Sequence, residues 1–193
     1  MVIRIGLIGG PSAGKTTQAA HFYSTIKSKM IQIEYVSEWV REALNNDMIP
    51  DANPWVQFWI LEEQRRREDS VPEEIQYIVT DSPTILSYVY SLFNGELERD
   101  KWLWIKMYEK FLTDLKRYNF IFYCEREKPY MIDGTRRQTE EEAIQIDIQI
   151  KHLLDMHKIK YHALNGNTES RTKKICEIIG IREELENDNR RMK

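Results

Sequence analysis

Short continuous apolar runs alternate with longer segments of helical spacing along this chain. Apolar runs at 3–8, 31–36, 77–80, 119–124 and 161–164 predict five strands. Runs that are apolar at nearly every position are typical of strands covered on both faces. Helical segments separate these runs, an order that favours right-handed crossovers between parallel strands. The pattern therefore predicts a three-layer α/β domain with a mostly parallel five-stranded sheet.

Proline residues set helix boundaries between the second and third predicted strands. Pro50 and Pro54 split this segment into a short helix near 38–45 and a longer one at about 55–68, because proline breaks the interior of a helix. One face of the longer helix carries large side chains that could belong to the core or line a substrate pocket: Trp55, Phe58, Trp59 and Glu62. A further helix is predicted at 14–29.

Residues 143–150 fit two patterns. They alternate apolar and polar positions as a strand would, but their apolar residues also continue into a helical stripe. Thr139, followed by glutamates, resembles a helix N-cap. We therefore predict a helix that continues through residue 157, with a stripe formed by Ile146, Ile150, Leu153 and Leu154.

Composition restricts the class of protein. The 193 residues fit one domain, with 41% hydrophobic and 31% charged residues, a balance typical of a folded globular chain. The net charge of −3 gives no general attraction to nucleic acid or anionic membranes. Two cysteines cannot form a disulfide framework, and no apolar stretch has membrane-spanning length. We expect a cytoplasmic domain at 1–180 without a membrane partner, followed by a charged tail at 181–193.

A glycine-rich segment joins the first predicted strand to the first predicted helix. Residues 9–16, Gly-Gly-Pro-Ser-Ala-Gly-Lys-Thr, fit G-x-x-x-x-G-K-[ST] without a gap. Glycines let main-chain N–H groups turn toward phosphate oxygens, and the helix adds its dipole. In this pattern Lys15 reaches the β- and γ-phosphates and Thr16 ligates Mg²⁺. The segment predicts nucleoside triphosphate binding by Gly9, Ser12, Ala13, Gly14, Lys15, Thr16 and Thr17.

Other motifs select among the P-loop NTPases. The chain lacks the [NT]-K-x-D motif of a GTPase, and Asp81 is followed by Ser-Pro-Thr rather than the D-x-x-G of a switch. Asp81 also lacks the adjacent glutamate typical of a motor ATPase. These absences leave a compact P-loop kinase as the interpretation.

Asp81 ends the third predicted strand, where a carboxylate can hold Mg²⁺ across the β- and γ-phosphates. The same residue could instead cap a helix that begins near Pro83 and Thr84. Both roles are compatible, so Thr16 and Asp81 are the predicted metal residues.

Five segments after the predicted strands follow a recognisable order. The first two segments are Glu-x-x-Arg-Glu at 38–42 and Asp-Ser-Pro at 81–83. They are followed by Glu-Arg-Glu-Lys-Pro-Tyr at 125–130, Asp-Gly-Thr-Arg-Arg at 133–137, and a segment at 165–171 that ends in Gly-x-x-x-x-Arg. This series resembles the P-loop nucleoside and nucleotide kinases, most closely the nicotinamide riboside kinase-like branch. The resemblance implies a P-loop NTPase fold with a helical or loop lid at about 125–138.

The resemblance also implies roles for individual residues. Glu38 would contact the acceptor hydroxyl and take its proton, although a glutamate at a helix start can simply stabilise the dipole. Arg41 could hold the acceptor or its phosphate, or pair with a neighbouring glutamate. Arg136 and Arg137 of the lid would reach the phosphates, unless they are merely solvated. Arg171 would pack on the base or cap its own helix.

The predicted helix at 55–68 carries residues with a second set of interpretations. Gln64 could read an acceptor base or sugar. Arg65, Arg66 and Arg67 could form a solvated face, or hold a phosphate or a nucleic-acid backbone.

The sequence thus predicts Mg²⁺-dependent transfer of the γ-phosphoryl group of ATP to a hydroxyl of a small nucleoside-like or nucleotide acceptor. Two alternatives stay open. One is a kinase acting on a hydroxyl of DNA, RNA or a modified base, and the other is a non-kinase NTP-binding switch or ATPase. The sequence does not fix the oligomeric state.

Overall fold

Strands and helices alternate along the chain in a computed structural model that describes residues 2–46, 48, 55–95, 97–98, 100–127, 130 and 138–181. The elements are, in chain order, β1 (Ile3–Ile8), α1 (Lys15–Ser28), β2 (Ile33–Val36), α2 (Trp39–Asn45), α3 (Val56–Asp69), β3 (Tyr77–Thr80), α4 (Ile85–Phe93), α5 (Lys101–Asp114), β4 (Phe120–Cys124), α6 (Glu140–Met156), β5 (His162–Leu164) and α7 (Thr168–Ile179).

The described strands form one parallel sheet in the order β2-β3-β1-β4-β5. The central strand β1 pairs with β3 on one side, where Gly6 lies opposite Thr80, and with β4 on the other, where Ile8 lies opposite Tyr123. Because the strand order changes direction at β1, a crevice opens at its carboxyl end, where ligands of open α/β sheets bind. The predicted five-stranded parallel sheet is confirmed.

Alternate side chains of the strands enter two separate cores. On β4, Phe122 and Cys124 pack under α1 and α7, whereas Ile121 and Tyr123 pack under α3, α4, α5 and α6. Both faces of the sheet are therefore covered, which explains why the strand is apolar at successive positions. Three layers result, as the sequence predicts.

The helices agree with the predictions except in some boundaries and in α5. Residues 140–156 form a helix, and Thr139 and Glu142 make a reciprocal capping box at its start. The prediction for β2 is two residues too long at its beginning, and the sequence analysis did not identify α5. Asp100 caps α5 by accepting from the amides of Trp102 and Leu103. Among the described residues, no helix is long and apolar enough to cross a membrane.

A buried carboxylate joins α3 to the amino end of the sheet. Glu68 is 1% exposed, and its Oε1 accepts a hydrogen bond from the Tyr118 hydroxyl at 2.8 Å. Its Oε2 accepts from Arg117 at 3.2 Å and lies 3.5 Å from the Arg4 guanidinium. Burial raises the pKa of Glu68 to about 7, although these three partners each lower it in part.

We expect the Glu68→Gln variant to remove a pH-dependent component of stability. An ordinary glutamate ionises near 4.5, so between about pH 4.5 and pH 7 the unfolded chain releases this proton more readily than the folded chain. The free energy of unfolding of the wild type should fall over that interval, and the variant should lack this fall. Urea unfolding at pH 5 and pH 8 measures it. The exposed control Glu74→Gln should behave as wild type, and an unchanged pH dependence in Glu68→Gln would contradict the assignment.

Candidate active site

The glycine-rich loop lies between β1 and α1 and has a backbone shape that few sequences allow. Gly9 has φ 146°, and a Cβ at this position would lie 2.9 Å from the Cys124 carbonyl oxygen. Gly14 has φ 79° and forms the N-cap of α1. Ser12 also has a positive φ, 65°, a conformation that is uncommon for non-glycine residues. The loop is a preformed turn over the end of β4.

Lys15 folds its side chain back over this loop. Its Nζ donates hydrogen bonds to the carbonyl oxygens of Gly9 at 2.9 Å and Gly10 at 3.0 Å. Within the part of the chain that the structure describes, Lys15 forms no ion pair. Among those residues no carboxylate neutralises its ammonium, so the positive charge at the loop can attract an anion.

Thr16, Tyr35 and Asp81 converge where β1, β2 and β3 end. Oδ2 of Asp81 accepts hydrogen bonds from the Thr16 hydroxyl at 2.5 Å and the Tyr35 hydroxyl at 2.9 Å. Burial raises the pKa of the Tyr35 phenol, and the charge of Asp81 raises it further. Asp81 does not cap α4, whose N-cap position is Thr84. The helix-cap interpretation of Asp81 is therefore wrong.

The oxygens of Thr16 and Asp81 fit a magnesium ion. Asp81 is 2% exposed, and its Oδ1 is buried without a hydrogen-bond partner among the described residues. An unpaired buried carboxylate oxygen is costly unless a ligand satisfies it. No described group of three or more His, Cys, Asp or Glu side chains could hold a metal alone. Mg²⁺ is usually held by one or two carboxylates together with substrate phosphates, and a single buried carboxylate beside a threonine hydroxyl fits that arrangement.

A cleft of about 270 Å³ opens beside this carboxylate. It is lined by Thr16, Tyr35, Ser37, Glu38, Arg41, Glu42, Asn45, Asn46 and Asp81. Glu38 occupies the N-cap position of α2 without a side-chain cap hydrogen bond, and Oε2 of its carboxylate lies 3.9 Å from Nε of Arg41. The structure thus brings Thr16, Asp81, Glu38 and Arg41 together around one opening.

On the opposite side of the loop, Asp147 of α6 gathers donors from three segments. Its Oδ1 accepts from the Gly10 amide at 2.6 Å and the Tyr123 hydroxyl at 2.7 Å, and its Oδ2 pairs with Arg126. Tyr90 of α4 is close enough to both Glu38 and Asp147 for its phenol to be affected by their charges. Burial raises the pKa of Tyr90, and the charges of Glu38 and Asp147 raise it further.

Arg171 of α7 holds the loop from a third direction. Its side chain is buried, and it donates to the Glu125 carbonyl oxygen at 2.6 Å and the Ala13 carbonyl oxygen at 3.4 Å. The side chain that caps α7 is Asn167, which accepts from the Ser170 amide at 2.9 Å. Arg171 therefore does not cap its own helix. Its contact with Ala13 places it against the phosphate loop, while base contact stays a prediction.

The polar residues predicted on α3 are occupied within the chain. Gln64 is buried, accepts from the Trp39 amide and donates to the Thr80 hydroxyl. The three arginines each pair with a carboxylate, Arg65 with Asp114, Arg66 with Glu63 and Arg67 with Glu42. Each of these guanidinium groups therefore has a carboxylate partner within the chain. Of the remaining predicted residues, Thr17 is exposed on α1, and Arg136 and Arg137 lie outside the described residues, as does most of the lid at 125–138.

The sequence pattern does not predict three residues of this site, Tyr35, Tyr123 and Asp147. Tyr35 and Tyr123 belong to apolar strands, and nothing in the sequence separates their hydroxyls from ordinary core tyrosines. Asp147 did leave a signal, because it replaces an apolar residue in the stripe that Ala143, Ile150 and Leu154 continue at helical spacing. A carboxylate at a stripe position indicates a buried polar partner.

The strand order and the loop after the central strand define a P-loop fold. Residues 4–171 match the protein family described as AAA domain, and because this match spans most of the chain, the chain belongs to that family. No curated protein sequence matches it.

Solved structures of other proteins share this fold. NadR protein in complex with NAD and AMP-PNP superposes with a TM-score of 0.70 at 16% identity, covering 95% of this chain and 51% of NadR. NadR in complex with NR superposes with a TM-score of 0.71 at 17% identity, covering 95% of this chain and 54% of NadR. Deoxyadenosine kinase from M. mycoides, solved with the products dCMP and dCDP, superposes with a TM-score of 0.62 at 12% identity. The superposition covers 93% of this chain and 100% of the deoxyadenosine kinase chain. This chain spans about half the length of the NadR chains. The predicted resemblance is confirmed for the fold.

We expect Asp81→Asn to weaken the dependence of nucleotide binding on Mg²⁺. The amide keeps an oxygen for Thr16 but removes the negative charge, so the gain in ATP affinity on adding Mg²⁺ should fall roughly 10- to 100-fold. Calorimetric titrations with ATP in Mg²⁺ and in EDTA measure that gain. Tyr35→Phe is the matched control, because it removes a hydrogen bond and retains the carboxylate. A full Mg²⁺ effect in Asp81→Asn would exclude this carboxylate from metal binding.

Proposed function

We propose that this protein is a P-loop kinase that transfers the γ-phosphoryl group of ATP to a hydroxyl of a small nucleoside-like acceptor. One observation carries the proposal: Glu38 lines the same cleft as Thr16 and Asp81, at the end of the phosphate loop. An acceptor in this cleft would lie between a carboxylate and the site of the triphosphate. That arrangement is what direct transfer, without water as the acceptor, requires.

Each residue has a role that its contacts support. Lys15 would exchange the carbonyl oxygens of Gly9 and Gly10 for phosphate oxygens, and the loop amides would bind the same group. Thr16 and Asp81 would hold Mg²⁺, which when bound neutralises charge on the β- and γ-phosphates. Glu38 would orient the acceptor hydroxyl and take its proton, while Arg41 steadies that carboxylate from 3.9 Å.

The charges of the cleft favour an acceptor without a phosphate group. Glu38, Glu42 and Asp81 contribute carboxylates to its lining, and Arg41 is the guanidinium among its lining residues. Glu42 is further paired with Arg67 at 2.6 Å. An uncharged or cationic nucleoside avoids the repulsion that a second phosphate would meet here. NadR was solved with NR and deoxyadenosine kinase with dCMP, and these ligands define the chemical range to test.

Arg136 and Arg137 complete the proposal as lid cations that would close over the transferred group. The main alternative is hydrolysis by a switch or ATPase, for which the AAA domain family provides a reason. A kinase acting on nucleic acid is less well supported, because Arg65, Arg66 and Arg67 are neutralised by carboxylates. The three activities differ in the acceptor of the phosphoryl group, which is a nucleoside hydroxyl, water or a nucleic-acid hydroxyl.

Transfer from γ-labelled ATP to a panel of acceptors tests the proposal. The panel contains nucleosides, nucleoside monophosphates, nicotinamide riboside, oligonucleotides and water. We expect label on a nucleoside, with weaker transfer to the monophosphates. Label on phosphate alone, at a rate that no acceptor stimulates, would identify an ATPase. Label on oligonucleotides alone would identify a nucleic-acid kinase.

Two substitutions test the assigned roles. Lys15→Ala should abolish transfer while the chain stays folded, and Glu38→Gln should lower kcat about 10²- to 10⁴-fold with little change in ATP binding, because it removes the proton acceptor. Glu34→Gln is the matched control on β2, since the Glu34 side chain is partly exposed and pairs with Lys27 away from the cleft. Activity in Glu38→Gln equal to that of Glu34→Gln would remove Glu38 from the mechanism.

A further inference from the structure

Asp147 occupies a position that the proposed roles above do not explain. It lies on α6, yet its carboxylate accepts from the phosphate loop through the Gly10 amide, from β4 through the Tyr123 hydroxyl, and from Arg126 just after β4. One side chain therefore joins three segments that meet at the carboxyl edge of the sheet. The close fit is also steric, since a Cβ on Gly10 would lie 2.8 Å from Asp147 Oδ1.

The two terminal nitrogens of the Arg126 guanidinium differ in their hydrogen bonds to the described residues. Its side chain is 11% exposed, and Nη2 is bound by Asp147. Its Nη1 is buried and has no hydrogen-bond partner among the described residues. A guanidinium carries only donors, so a buried unpaired N–H calls for an anionic or carbonyl oxygen from a ligand. The Tyr130 ring lies 5.7 Å from the guanidinium carbon and covers it further.

The position of Arg126 indicates which ligand this is. It comes two residues after Cys124, whose carbonyl oxygen is the atom that excludes a side chain at Gly9 of the phosphate loop. The phosphate groups of a nucleotide cradled by that loop are the anions that would reach a guanidinium beside it.

We propose that Asp147 is a positioning residue that holds Arg126 with its second nitrogen directed at the terminal phosphate of the bound nucleotide. The importance of this residue for phosphoryl transfer rests on the proposed function. The inference goes beyond that function by assigning a task to a carboxylate that never touches the substrate. Because the same carboxylate binds the Gly10 amide, the guanidinium is fixed relative to the loop that holds the phosphates. Charge and geometry are thereby set together before the nucleotide arrives.

Binding of AMP-PNP and of ADP, each with Mg²⁺, gives a test that requires no acceptor. The wild type should prefer the triphosphate analogue, and both Asp147→Asn and Arg126→Gln should reduce that preference at least fivefold, with little change in ADP affinity. The double variant should be no worse than Arg126→Gln alone, because both changes remove one contact. Asp155→Asn is the matched control, the same change at an exposed site on the same helix. It should retain the preference.

Three outcomes would overturn the inference. In the first, Asp147→Asn keeps the wild-type preference. In the second, it weakens AMP-PNP and ADP equally, as a purely structural role would. In the third, the losses in the two single variants add. Should Asp147→Asn fail to fold, Arg126→Gln decides alone, and an unchanged preference in that folded variant overturns the inference.

Transfer assays separate this inference from the proposed function. In a working kinase, Asp147→Asn should lower kcat/KM for ATP at least tenfold, because both binding of the triphosphate and its transfer lose the same contact. If no acceptor is phosphorylated but the preference for AMP-PNP still depends on Asp147, the kinase proposal fails and the positioning role stands. If transfer occurs and Asp147→Asn behaves as Asp155→Asn, the positioning role fails and the kinase stands.

Discussion

The phosphate loop keeps its shape because β4, α6 and α7 close on it from three sides. The Cys124 carbonyl leaves no space for a side chain at Gly9, Asp147 binds the Gly10 amide, and Arg171 binds the Ala13 carbonyl. A glycine-rich turn in isolation would populate many conformations, at a cost of about 1–2 kcal/mol per residue to order. The surrounding contacts meet this cost during folding, so the loop amides are already oriented when a phosphate group arrives.

The pairing of charged groups also prepares the loop for an anion. A net charge of −3 conceals many ionised groups, and most of the arginines in the described helices are paired with carboxylates. Arg65 lies 2.6 Å from buried Asp114, and Arg117 contacts Glu68 at the amino end of the sheet. Lys15 differs, because its partners are carbonyl oxygens. Since carbonyl oxygens carry no net charge, the positive charge at the loop remains effective toward an anion.

The fold could be predicted from sequence much more completely than the site. Both faces of the sheet are covered, so its strands read as continuous apolar runs, and the loop Gly9–Thr16 follows one of them. Helix α5 was missed because it exposes Trp102 and Trp104 beside its buried stripe of Leu103, Met107 and Phe111, which blurs the helical pattern. Asp147 and Gly10 are 137 positions apart, and no local pattern encodes a contact of that separation. Glu38 and Asp81 could be predicted as site residues from the sequence. Each follows a predicted parallel strand, and the carboxyl ends of parallel strands meet at one edge of the sheet.

The distribution of charge around the cleft constrains how the proposed reaction could begin. Asp81 and Glu38 both place carboxylates in the cleft that Thr16 of the phosphate loop also lines, and two such groups repel an uncomplexed nucleotide. Productive binding therefore needs cations that enter bound to the nucleotide, or cationic side chains that already lie beside its site. In the proposed reaction, Oδ1 of Asp81, which has no hydrogen-bond partner among the described residues, would provide for the first through Mg²⁺, and Lys15 and Arg126 would provide for the second. With the triphosphate neutralised in this way, Glu38 would be the carboxylate that acts on an acceptor.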